Sequence, residues 1–195
     1  TGAMYRTIAL GLLRAGTDIE DEAALKRQLS DIEVTISYEN GVQQVFLNGE
    51  NVTGLIRTEQ VSDMTSRSSA KPQVREKLTE LQRTLAKKED VLMDGRDIGT
   101  MILPDAQLKI FLTASVKTRA ERRYKEQIEK GESCTLEEIE RDIEERDYRD
   151  SHRETAPLRQ AEDAVLVDSS DMTIDEVVAA IVALARERMQ MATCR

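Results

Sequence analysis

The chain has no tryptophan, two phenylalanines and four tyrosines, so aromatics make up only 3% of its 195 residues. A hydrophobic share of 39% still supports a core, which aliphatic side chains must therefore build. Only two cysteines occur, Cys134 and Cys194. They have neither metal-ligand nor redox spacing, which points to a reduced, cytoplasmic protein. No apolar run approaches the roughly 20 residues of a membrane span, and no signal peptide is visible, so no membrane role is expected. Positive charge is also short: 28 Lys and Arg face 37 Asp and Glu, a net charge of −9. That balance, with no aromatic-rich sheet motif, argues against a nucleic-acid binder. The single histidine, His152, lacks any Ser/Asp partner pattern and reads as a polar neighbour rather than a general base. Small anionic ligands remain compatible with the charge, because a local arginine cluster can hold a phosphate inside an acidic protein.

What is present is organised by periodicity. Residues 1–15 read as an amphipathic helix with Tyr5, Ile8, Leu12 and Leu13 on one side and Gly16 as its stop. A short helix over 21–29 follows. The pattern then alternates over 34–38, turns at Glu39-Asn40-Gly41 and resumes at 44–47, which predicts a β-hairpin with a third strand. Helices are expected over 58–68 and from Pro72 onward. Three short apolar runs, 91–93, 108–113 and 164–167, then alternate with helical segments, which predicts a parallel sheet with helices on its faces. Thr135–Glu138 and Thr173–Glu176 have capping-box spacing and open two more helices. The last helix offers Ile174, Val177, Val178, Ile181 and Leu184 as a packing face.

Three clusters could carry chemistry. Asp94-Gly95-Arg96-Asp97-Ile98-Gly99-Thr100 follows an apolar run, where parallel-sheet folds place ligands past a strand's carboxyl end. A strand-to-helix turn with capping aspartates is the plain alternative, but such a turn needs neither an arginine nor a second aspartate. On the helix opened by Thr135, the stripe Leu136, Ile139 and Ile143 continues as Arg146, Arg149/Asp150 and Arg153 at spacings of three and four. A solvated face laced with Glu–Arg pairs competes with a phosphate site there. Arg119, Arg122 and Arg123 form a weaker cluster after 108–115, and a solvated face is as good a reading. Ser66 and Arg75, taken alone, read as ordinary surface residues.

Together with Thr1-Gly2-Ala3-Met4-Tyr5-Arg6 and the arginine-rich segment 145–153, these residues resemble the cytidylate (CMP) kinases of bacteria, over essentially the whole chain. The resemblance implies an α/β fold of P-loop nucleoside-monophosphate-kinase type, a doubly wound parallel sheet with a small β-rich insert and a helical lid. It implies one kinase domain, with a core of 1–29, 58–130 and 154–195, an acceptor-binding insert over 30–57 and a lid over 131–153. The implied activity is transfer of the ATP γ-phosphoryl group to CMP, and to dCMP, with Mg²⁺ accompanying ATP, by a monomer. Residues matching Arg96, Arg146 and Arg153 hold phosphates, and these are the implied catalytic residues. Tyr5, Arg6, Ser66, Arg75, Asp97 and Asp150 complete the CMP site, with Asp97 facing cytosine and Asp150 the ribose hydroxyls. Arg119, Arg122, Arg123 and Arg149 are assigned to ATP and the lid. No direct metal ligand is implied, and Asp94 is placed near the magnesium shell. The rivals are a UMP or AMP kinase, and a CMP-binding regulatory module without turnover.

One part of the family pattern does not occur: the 195 residues contain no Gly-x-x-x-x-Gly-Lys-Ser/Thr phosphate loop. In the family that loop and a central strand lie shortly before the position of Thr1. The expectation is therefore that an upstream piece of about 25–35 residues, half of a βαβ unit, is needed for activity.

Overall fold

Aliphatic spacing decides the first elements. The computed structural model describes residues 1–193, so Cys194 lies outside the described residues. It divides into two compact units, Thr1–Gly95 and Arg96 onward.

In the first unit, α1 (Gly2–Arg14) buries Met4, Ile8 and Leu12, one side of a 3.6-residue period. Helix α2 (Glu22–Asp31) starts where the Asp21 carboxylate accepts the N–H groups of Ala23 and Ala24. Strands β1 (Val34–Glu39), β2 (Val42–Leu47) and β3 (Glu50–Asn51) form an antiparallel sheet in that order. Asn40 and Gly41 both take positive φ, 52° and 77°, the twist a two-residue hairpin demands. Helices α3 (Glu59–Ser68) and α4 (Pro72–Lys88) complete the unit, α3 capped by the Thr58 hydroxyl and α4 opened by its proline. Ile8, Leu12, Leu25 and Leu78 have no exposed surface, and each such burial is worth about 1.5–3 kcal/mol. Gly11 sits mid-helix for a packing reason. A Cβ there would lie 2.8 Å from Ile32 Cδ1 and 3.4 Å from Leu47 Cδ1.

In the second unit, β4 (Ile110–Thr113) and β5 (Val165–Asp168) pair in parallel, Ile110 opposite Val165 through Thr113 opposite Asp168. The crossover between them carries α5 (Val116–Glu129) and α6 (Leu136–His152), an αα-hairpin whose seam is Ala120, Ile139 and Ile143. The parallel α/β arrangement is thus present. Thr135 forms the complete capping box with Glu138, and Glu176 returns to Thr173 at the start of α7 (Ile174–Thr193).

Two expectations are corrected. Residues 91–93 form no strand: no ladder partner takes their backbone groups among the described residues, and Leu92 is 91% exposed. A short apolar run becomes a strand only where a neighbour accepts its N–H and C=O groups. On α7, Val177, Ile181 and Leu184 are half-buried, but Ile174 and Val178 are exposed, so the packing face is one narrow stripe. One element was not foreseen, a five-residue π-helix over Ile98–Ile102. No helix among the described residues is long and apolar enough to cross a membrane.

Candidate functional site

The second unit brings together five of the residues singled out by sequence. Asp97 is buried at φ −130° and ψ 15°, and its carbonyl accepts the N–H groups of Met101 and Ile102, which winds the π-helix behind it. Single π turns of this kind are frequent at functional sites. Arg96 Nε donates to Asp150 Oδ2 at 3.0 Å. Arg146 Nε lies 3.9 Å from that same oxygen, and Arg153 Nη1 lies 4.0 Å from Oδ1. Arg153 also reaches Asp97, with Nη2 4.0 Å from Oδ1, while its Nε donates to the Ala156 carbonyl at 2.6 Å. One carboxylate therefore gathers three guanidiniums, and a second carboxylate stands beside the last of them.

Electrostatics in this cluster favour an anionic guest. Desolvation holds the Arg146 guanidinium below its ordinary pKa, and repulsion from Arg96 and Arg123 adds to it, against the pull of Asp150 and Asp147. Its side chain is nevertheless 60% exposed, so water screens these effects and the group stays a cation at neutral pH. Three like charges held near one carboxylate leave a net positive site, which a phosphate dianion would neutralise.

The other predicted residues divide differently from the sequence reading. Arg149 is exposed and donates to the Glu145 carbonyl at 3.3 Å; with Glu144, Glu145 and Tyr148 it lines an open groove of about 470 Å³ that none of the five clustered residues lines. The residue that extends the Ile139–Ile143 seam is Asp147, one turn on, rather than Arg149. Its Oδ1 and Oδ2 accept from Arg119 Nη1 and Nη2 at 3.0 and 2.6 Å. Arg122 donates to the Ser169 and Met172 carbonyls at 2.6 and 3.0 Å and to the Ser169 hydroxyl at 3.3 Å. Arg119 and Arg122 are thus engaged by the protein, whereas Arg123 is exposed and faces Arg146 electrostatically. Asp147 was missed by sequence reading, although its i+4 spacing from Ile143 marks it as a seam residue.

In the first unit, Arg6 Nη1 donates to the Ile56 carbonyl at 3.1 Å and to the Ser62 hydroxyl at 2.8 Å, which fixes it against the start of α3. Tyr5 is half-buried against the apolar cluster. Ser66 is exposed, as its sequence context suggested. Arg75 is not a surface residue: it is buried on α4, with Nη1 3.4 Å from the Ser69 carbonyl. Its spacing from Val74 and Leu78 draws it into the packed side of the helix. Asp94 has a 91% exposed side chain, and its carbonyl accepts from the Thr1 hydroxyl at 2.5 Å. No group of three or more His, Cys, Asp or Glu among the described residues is placed to hold a metal ion.

The sequence model of the cytidylate kinase family matches residues 1–187. The chain belongs to the cytidylate kinase family. It is 50% identical over 188 residues to the cytidylate kinase of Ligilactobacillus salivarius, an overlap of 96% of this chain and 84% of that protein. The cytidylate kinase of Lactobacillus johnsonii is 47% identical over 190 residues, covering 97% of this chain and 83% of the relative. That of Carboxydothermus hydrogenoformans is 48% identical over 179 residues, covering 92% and 81%. Membership in the cytidylate kinase family makes the chain an enzyme of the kinase class, with the mixed α/β architecture described above.

Proposed function

We propose that this protein transfers the γ-phosphoryl group of ATP to CMP, and to dCMP, giving CDP or dCDP and ADP. The observation that carries the reading is the convergence of Arg96, Arg146 and Arg153 on Asp150, beside buried Asp97. Phosphoryl transfer asks mainly for positioning and charge neutralisation, and guanidinium forks supply both. On arrival of the acceptor phosphate the three arginines exchange part of their attraction to Asp150 for the dianion. Asp150 is then available to accept from ribose hydroxyls.

Asp97 supplies base selection. Its carboxylate can accept a hydrogen bond from the exocyclic amine of cytosine, whereas uracil would set a carbonyl against it. In the first unit Arg6 offers a guanidinium already oriented by Ile56 and Ser62, Tyr5 an aromatic side chain beside it, Ser66 an exposed hydroxyl, and Arg75 a desolvated cation. Arg123 and Arg149, both exposed on the α5–α6 hairpin, are assigned to the ATP phosphates. Mg²⁺ enters on ATP as part of the substrate, and Asp94, an exposed carboxylate 3.2 Å from the Thr1 ammonium, is assigned near its shell. When bound, that ion neutralises the β- and γ-phosphate oxygens. Residues 131–153 act as a lid that excludes water from the transfer. The protein acts as a monomer in the cytoplasm.

The test is ADP formation by the full-length protein with ATP-Mg²⁺ and CMP, dCMP, UMP or AMP as acceptors. Fastest turnover with the two cytidine nucleotides supports the proposal. CMP binding without ADP formation would convert it to a non-catalytic CMP-binding module, and preference for UMP or AMP would displace the assignment of Asp97.

A further inference from the structure

The apolar seam of the α5–α6 hairpin ends at Ile143, yet the residues proposed to meet the nucleotide lie farther along α6 and just past it, at Arg146, Asp150 and Arg153. From Ile143 to Arg153 is ten residues, about 15 Å of helix at 1.5 Å per residue. A tilt of roughly 4° about the seam would then move Arg153 by about 1 Å, a displacement that costs phosphoryl transfer heavily. Something must hold that overhang, and hydrophobic packing does not.

Polar contacts hold it, Arg96 on Asp150 at its far end and a second pair nearer the seam. Asp147, one turn beyond Ile143, takes both terminal nitrogens of Arg119, at 3.0 and 2.6 Å. Arg119 is itself locked, because its Nε donates at 2.9 Å to the carbonyl of Ala114, the buried residue directly after β4. The first two turns of α5 are therefore tied to the sheet twice, by Arg119 after β4 and by Arg122 on the Ser169 and Met172 carbonyls after β5. The end of the parallel sheet, Arg119, Asp147 and the nucleotide-facing turn of α6 form one continuous chain of contacts.

We propose that Asp147 is a positioning residue, whose two-point pair with Arg119 sets the C-terminal half of α6 and thereby the placement of Asp150 and Arg153. The inference deepens the function proposed above and rests on it for its kinetic readout. It also gives Arg119 a role different from ATP binding. The pair is worth little as stability, since both side chains are about one-third exposed, at 34% and 39%, and exposed pairs are screened. Its contribution is direction, because a planar fork fixes a carboxylate at two points and a lysine cannot.

The experiment compares the wild-type protein with Asp147→Asn, Asp147→Glu, Arg119→Lys and the exchanged double variant Arg119→Asp/Asp147→Arg. The expected result is a rise of about 10-fold or more in KM for CMP in Asp147→Asn and Arg119→Lys, the scale of a small misplacement. KM for ATP stays within about two-fold, and melting temperature changes little. Partial recovery of KM for CMP is expected in the exchanged variant. An unchanged KM for CMP in Asp147→Asn overturns the proposal. So does loss of cooperative unfolding in both Asp147 variants, which would make the pair a folding contact. A raised KM for ATP in Arg119→Lys with normal Asp147→Asn kinetics overturns it too, returning Arg119 to ATP. Amide exchange separates this from failure of the kinase reading: faster exchange over 144–152, with 136–143 unchanged, supports the positioning role even if CMP is not the acceptor. Equal exchange in wild type and Asp147→Asn overturns it.

Discussion

Arg96 Nε and Asp150 Oδ2 meet at 3.0 Å across 54 residues of chain, joining the segment after residue 95 to the last turn of α6. Asp150 is 20% exposed, so the pair is partly shielded from water, and its second oxygen faces Arg153 at 4.0 Å. A partly buried carboxylate persists where cations surround it.

Base choice should rest on Asp97. Asp97→Ala is expected to cost about 1–3 kcal/mol in CMP recognition, the scale of a polar contact left unpaired. Steady-state kinetics with CMP and UMP should show the preference for CMP narrowing. Unchanged discrimination in a folded variant would remove Asp97 from base reading.

Arg153→Lys keeps the charge and loses the fork. It should lower kcat/KM for CMP by about 10-fold or more while costing roughly 1 kcal/mol of stability through the lost bond to the Ala156 carbonyl. Denaturant melts beside kinetics check this. If activity falls only in step with folded fraction, Arg153 is structural.

Acid should loosen the start of α7. The Glu176 carboxylate is held below its usual range first by the Thr173 N–H and then by the Thr173 hydroxyl, and Asp168 is lowered likewise by the Ser170 hydroxyl and N–H. A depressed folded-state pKa adds stability above the unfolded value, near 4.3 for Glu, which is lost as pH falls through the folded value. Melting temperature should therefore decline below about pH 5, and Glu176→Gln should flatten that decline. An identical pH slope in the variant would mean the capping box does not report on stability.

Residues 131–153 should close on substrate. The hairpin is held by a small seam, Ala120, Ile139 and Ile143, and by the part-exposed Arg119–Asp147 pair, so its opening free energy is low compared with the first unit's core. Amide exchange over 131–153 should be fast without nucleotide and slow with CMP and ATP together. Equal protection in both states would rule out a closing lid.

Local signals made much of this protein legible. The i, i+4 spacing of Ile8 and Leu12, the Asn40-Gly41 turn and the Thr135 and Thr173 capping boxes each specify structure over a few residues, and each formed as expected. The clustering of Arg146, Asp150 and Arg153 was likewise visible in their helical spacing, although the residue that extends the buried seam is Asp147. Resemblance over the whole length carried the family, which the match over residues 1–187 shows.

Partnership was decided by tertiary structure. The run at 91–93 has a strand's composition, but a strand exists only in its hydrogen bonds to a neighbour, and those depend on distant chain. Arg75 and Ser66 looked alike in sequence, yet packing of α4 buried Arg75 while Ser66 stands exposed on α3. Arg119 and Arg149 both read as helix arginines for phosphate. The crossing of α5 and α6 committed the first to Asp147, 28 residues away, and left the second in an open groove. Periodicity says which side of a helix a residue occupies; only the packing of two helices says which charge stands opposite, because Coulomb attraction and fork geometry act through space over a few ångströms.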